Sequence, residues 1–99
     1  MGLSVTFDRN RIAEFCRRWN VVELAVFGSV ARGDFRENSD IDVMVTFAPE
    51  AHIGLLSLAR MENELSAMFN RKVDLVTKGG LKPLIRDEIL AEAEVLYAA

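Results

Sequence analysis

Apolar positions recur along this chain with two different periods. Over residues 9–19 they fall at Ile12, Ala13, Phe15, Cys16 and Trp19, which approximates one face of a helix. Asp8 stands where its carboxylate can cap the first turn. The next run, Val21 to Phe27, is short, β-branched and almost continuously apolar, and it ends at Gly28; this predicts a strand buried on both faces. Residues 41–47 predict a second strand, closed by Pro49, and residues 72–76 a third. Between the first two, Ser29 to Ser39 is polar and carries turn chemistry in Gly33, Asp34, Asn38 and Ser39, with room for a helical turn near residues 30–32.

The longest helical pattern covers residues 55–69. Leu55, Leu58, Met61, Leu65 and Met68/Phe69 keep the helical spacing, while Arg60, Glu62, Asn63 and Glu64 colour the other side. Gly79–Gly80 predicts a turn, and Pro83 suits the first turn of a helix running to about Ala93. Residues 95–97 read as a short edge strand or a frayed helix end. The order α-β-β-α-β-α, with a possible last strand, predicts an α/β (α+β) domain: a small mixed sheet flanked by helices.

Composition narrows the partners. Ninety-nine residues suggest one domain, and a hydrophobic share of 51% supplies a core. A domain this small buries a modest fraction of its surface, so a partner is expected to add to its stability. A net charge of −3 and a pI near 5.1 give no general basic field, which disfavours direct nucleic-acid binding. No stretch approaches the ~20 apolar residues of a membrane span, and residues 1–10 lack the apolar core of a signal peptide, so the chain is expected in the cytoplasm. One cysteine, Cys16, and one histidine, His52, cannot build a Cys/His zinc cage. Cys16, Trp19 and Tyr97 read as core or boundary residues; His52, Arg36 and Glu37 read as exposed loop residues.

The candidate chemistry lies between Leu24 and Val45. Asp40 and Asp42 are two apart, so on an extended chain their carboxylates share a face, ~7 Å apart at the backbone. Two carboxylates beside an apolar strand repel each other and resist desolvation, and a multivalent cation between them relieves both. Hard oxygen ligands suit Mg²⁺ or Mn²⁺ better than zinc. By itself the pair is equally compatible with Asp40 capping a turn and Asp42 facing solvent from an edge strand. Gly28-Ser29 shifts that balance. A strand ending in Gly-Ser before a tight turn can offer backbone N–H groups and a hydroxyl to an anion, and glycine permits close approach.

Gly28-Ser29, ten residues, then Asp40-Ile41-Asp42 is similar to the signature of the DNA polymerase β-like nucleotidyltransferase superfamily, as are the flanking Ala31-Arg32-Gly33 and Ser39. The resemblance implies that Gly28 and Ser29 hold a nucleoside triphosphate and that Asp40 and Asp42 ligate metal, with two Mg²⁺ ions expected. The superfamily uses a third carboxylate on a neighbouring strand. Asp74, an acid among apolar neighbours in the third predicted strand, fits that role as ligand and as base for the acceptor's proton. Its alternative is a strand-end Asp paired with Arg71 or Lys72. Arg32 is placed either on phosphate or on Asp34, and Ser39 either on phosphate or as a loop cap.

A chain of this size, with the closing pattern Leu81-Lys82-Pro83-Leu84-Ile85-Arg86-Asp87-Glu88-Ile89-Leu90, resembles the minimal nucleotidyltransferase (MNT) antitoxins paired with HEPN-domain toxins; the similarity runs over residues 21–97. It implies a single minimal domain over residues 1–99 that transfers AMP from Mg-ATP to a tyrosine hydroxyl of a HEPN ribonuclease toxin and so silences it. Two other functions fit the same residues. One is an antitoxin that neutralises by complex formation alone. The other is the catalytic subunit of a two-chain enzyme acting on a small molecule.

Overall fold

The structure is a computed structural model and describes residues 7–34, 36 and 39–99. Helix α1 (Arg9–Arg18) starts as expected: the Asp8 carboxylate accepts from the N–H groups of Asn10 at 2.9 Å and Arg11 at 3.4 Å. Strand β1 (Val21–Phe27) leads through Gly28 into the single-turn helix α2 (Ser29–Arg32). Strand β2 (Ile41–Phe47) and helix α3 (Leu55–Phe69) follow, and α3 ends on Asn70 at φ 55°, a left-handed position that asparagine tolerates. Strand β3 (Val73–Thr77) comes next, then a 3₁₀ turn (Lys78–Gly80) where the Gly-Gly pair predicted a turn. Helix α4 (Pro83–Glu92) carries Pro83 in its first turn, and β4 (Glu94–Ala98) is a strand rather than a frayed helix end.

The sheet is mixed, in the order β3-β2-β1-β4. β1 pairs antiparallel with both β2 and β4, whereas β2 and β3 run parallel. β2 is therefore internal, and Asp42 does not sit on an edge strand. Alternation along the strands separates two faces. Leu24, Val26, Ile41, Val43, Val45 and Val73 pack with Ile12, Phe15 and Cys16 of α1 and Met61, Leu65 and Phe69 of α3 to form the main core. Asp42, Met44 and Asp74 alternate with those residues and belong to the opposite face. Cys16 is fully buried among these side chains, and burial pushes its thiol up to about 12, so it serves as a small apolar filler. Trp19 and Tyr97 pack at the margin of the core, and His52 is exposed.

The edge strand β3 is tied down by α3. The Ser66 hydroxyl donates to the Glu62 carbonyl at 2.8 Å and accepts the Val73 N–H at 3.0 Å. The Glu62 carboxylate accepts the Leu75 N–H at 2.8 Å. These two bonds satisfy amides that flank Asp74, on a strand whose outer edge would otherwise be open to water. Helix α3 thus fixes where Asp74 stands relative to β2.

Candidate active site

Three pieces of chain meet on the sheet face opposite the main core. At the end of β1, Gly28 takes φ 73° and ψ −148°, a combination reached essentially only by glycine. It lies beside Asp42: a Cβ built on Gly28 would collide with Asp42 Oδ2 and stand 3.2 Å from its Cγ. The β1–β2 register, with Phe27 opposite Asp42, accounts for this closeness. Across the other side of β2, Asp42 is the direct partner of Asp74 in the parallel ladder. Parallel partners project to the same face from strands ~4.8 Å apart, so the two carboxylates are neighbours.

Electrostatics reflect this crowding. The Asp42 carboxyl is held above the usual carboxylate range, first by burial and then by the charges of Asp74 and Asp40, with Arg32 opposing and Glu92 adding to the shift. A raised carboxyl pKa in the folded state means that the fold holds this proton more tightly than the unfolded chain. Its ionisation therefore costs stability as pH rises through the shifted value. In metal-free protein at pH 7, Asp42→Asn is expected to raise Tm, an advantage that disappears near pH 3, where aspartate is protonated in both states. Thermal melts at the two pH values check this.

The remaining predicted residues are placed less uniformly. Asp40 lies just before β2, exposed, with Oδ2 3.9 Å from Lys72 Nζ. As the side chains stand, no group of three His, Cys, Asp or Glu among the described residues is drawn close enough to hold an ion. The donor set nevertheless suits a hard cation: Asp42 is flanked by two further carboxylates whose charges it feels, and among the described residues Asp40 is paired with an exposed lysine at 3.9 Å. Ser29 opens α2 directly after Gly28. Ser39 acts within its own loop, where its Oγ accepts the Arg36 N–H at 3.0 Å and its N–H donates to the Arg36 carbonyl at 3.0 Å. Arg36 is exposed. Glu37 and Asn38 lie outside the described residues. Arg32 pairs with Asp34 at 3.5 Å and with Glu92 at 3.4 Å.

Glu92 was not singled out by its sequence. It is the last residue of α4, yet its carboxylate accepts the Gly28 N–H at 3.0 Å. The available signal was an anomaly: an acidic residue at a helix C-terminus opposes the helix dipole, and no basic residue in that turn offsets it. By contrast, a cleft between α1 and α3, lined by Arg11, Glu14, Arg18, Glu64, Ala67 and Met68, shares no residue with this site.

The arrangement can be compared with known proteins. The Nucleotidyltransferase domain family matches residues 9–96. Protein adenylyltransferase MntA of Thermococcus cleftensis is 40% identical over 79 residues, covering 80% of this chain and 78% of that protein. A Methanocaldococcus jannaschii protein assigned as a protein adenylyltransferase is 35% identical over 91 residues, covering 92% of this chain and 96% of its relative. Among solved structures, one assigned as a minimal nucleotidyltransferase superposes with a TM-score of 0.73 at 40% identity, covering 87% of this chain and 86% of that one. An MNT antitoxin, in complex with a tri-AMPylated Shewanella oneidensis HEPN toxin, has the same fold: TM-score 0.67, 18% identity, coverage 92% and 70%. Family match, fold and relatives agree: this chain belongs to the nucleotidyltransferase domain family, in the group of MntA-like protein adenylyltransferases.

Proposed function

We propose that this chain is a cytoplasmic antitoxin enzyme that transfers AMP from Mg-ATP to a hydroxyl, on tyrosine, of a cognate HEPN ribonuclease toxin and thereby neutralises it. The observation that carries the reading is the side-by-side placement of Asp42 and Asp74 next to the Gly28 turn. It brings a carboxylate pair to the edge of the Gly28–Ser29 backbone turn. The relatives named as protein adenylyltransferases supply the reaction class, and the AMPylated HEPN toxin held by an MNT antitoxin supplies the kind of acceptor. Among the described residues no helix is long and apolar enough to cross a membrane.

In this reading Gly28 and Ser29 hold the β- and γ-phosphates: Ser29 offers its N–H and hydroxyl, while Gly28, whose own N–H is bonded to Glu92, lacks the Cβ that would keep the Asp42 carboxylate away from the turn. Arg32 is the nearest cation in the turn and can shift from Asp34 and Glu92 toward phosphate, because both of its pairs are long and exposed. Asp40, Asp42 and Asp74 would hold Mg²⁺, two ions by family likeness, and when bound the metal offsets phosphate charge and lowers the pKa of the acceptor hydroxyl. Asp74 is exposed at the rim of the sheet face, where an incoming hydroxyl can reach it, and it accepts the proton as the hydroxyl attacks the α-phosphorus. Pyrophosphate is the leaving group, and AMP stays on the acceptor. Ser39 serves the loop that delivers Asp40 rather than the nucleotide, because its hydroxyl is already engaged with Arg36.

Incubating the purified toxin, this chain and magnesium with ATP labelled at either the α- or the γ-phosphate tests the reaction. Label from the α-position is expected on the toxin and label from the γ-position is not. Transfer of the γ-label would make the chain a kinase, and transfer of neither would remove the enzymatic reading.

A further inference from the structure

Glu92 stands where three elements converge, and the reading of the active site gives it no part in the reaction. Its place over the turn follows from the sheet. β4 pairs antiparallel with β1, with Ala25 opposite Val95 and Val26 opposite Glu94, and continuing that register by two residues brings position 92 opposite Gly28. The carboxylate then accepts the Gly28 N–H at 3.0 Å and reaches Arg32 Nη1 at 3.4 Å with each oxygen. It thus grips the first and last parts of one short turn, residues 28–32. That turn is entered through a glycine, whose backbone has the widest conformational range of any residue, so a hydrogen bond from outside the turn is what holds it in one shape. Helix α4 contributes no buried residue, so this contact is its most specific tie to the site.

The charge of Glu92 runs against its location. A carboxylate beside a triphosphate site repels the ligand, and it already raises the Asp42 carboxyl's affinity for its proton. What the turn needs from position 92 is an acceptor oxygen at the right reach, and the negative charge is a cost. We propose that Glu92 is a positioning residue for the phosphate-binding turn, holding Gly28 and Arg32 from the end of α4 so that the turn is formed before nucleotide arrives. This rests on the reading of residues 28–32 as the triphosphate cradle.

The proposal separates three substitutions at one site. Glu92→Gln keeps an acceptor oxygen at the same reach and removes the charge. Glu92→Asp keeps the charge but is one methylene too short. Glu92→Ala removes both. Amide hydrogen exchange at Gly28, followed by NMR without nucleotide, reads the bracing directly; calorimetric titration with magnesium and AMP-PNP reads its consequence. Ala and Asp are expected to speed Gly28 exchange and weaken nucleotide binding by about tenfold, the loss of one hydrogen bond. Gln is expected to stay within about threefold of the parent in exchange and to bind nucleotide at least as tightly. Unchanged exchange and affinity in both Ala and Asp would reduce Glu92 to a helix-end residue and overturn the proposal. Tighter nucleotide binding by Ala than by Gln would overturn it differently, by making the side chain a competitor for the Gly28 amide. If Ala does not fold, Asp against Gln decides. Failure of the parent chain to bind AMP-PNP would remove the nucleotide reading instead, and the exchange data would then judge the bracing by itself.

Discussion

Asp42→Ala is expected to lower AMP transfer by about three orders of magnitude or more while leaving the fold intact. β2 is internal to the sheet, and its core-facing residues Ile41, Val43 and Val45 are fully buried, so the strand is held without its carboxylate. The Asp42 side chain lies on the other face, where burial and the charges of Asp74 and Asp40 make its ionised form unfavourable. Alanine relieves that repulsion, so Tm should not fall. A matching loss is expected for Asp40→Ala, since the two acids serve the same cation from one end of the strand. Measured initial rates of AMP transfer alongside thermal melts check both halves. An Asp42→Ala variant retaining more than about a tenth of the parent rate would mean that the carboxylates are structural.

Gly28→Ala is expected to be nearly as damaging, for a different reason. The φ of 73° with ψ −148° carries a penalty of about 1–3 kcal/mol for any residue with a Cβ. The added methyl would also drive into the Asp42 carboxylate. Relief requires either a backbone shift, which breaks the Glu92 contact with the Gly28 N–H, or displacement of Asp42 from the Asp74 side of the site. The substitution should therefore lower Tm by several degrees and also abolish AMP-PNP binding in the fraction that remains folded. A variant that melts earlier yet binds nucleotide normally would show that the turn is only structural.

Much of this arrangement was legible in the residues. Hydrophobic period placed the helices and strands to within a residue or two at most ends, because each strand is bounded by glycine, proline or polar turns and α1 by the Asp8 cap. The final strand was ambiguous because five residues cannot declare a period; pairing with β1 decides it. The spacing of Gly28-Ser29 and Asp40-x-Asp42 suggested a common site, and the antiparallel β1–β2 hairpin is what brings Gly28 beside Asp42. Sheet order was not legible. Without the parallel β2–β3 pairing, Asp74 could have stood anywhere on the sheet, and only the ladder puts it opposite Asp42. Glu92 was invisible for a related reason: its role depends on a contact 64 residues away in sequence, made through a strand whose existence was itself in doubt. Ser39 shows the converse, since a polar residue beside the motif is engaged by its own loop.

Transfer of AMP to a partner protein by the acids around Gly28 can be read by co-expressing this chain with its HEPN partner and weighing the partner by intact mass spectrometry. The partner is expected to be heavier by one or more adenylyl units, and to keep its unmodified mass when the co-expressed chain carries Asp42→Ala. A partner of unmodified mass held in a stable complex by the parent chain would contradict such transfer and make neutralisation a matter of binding alone.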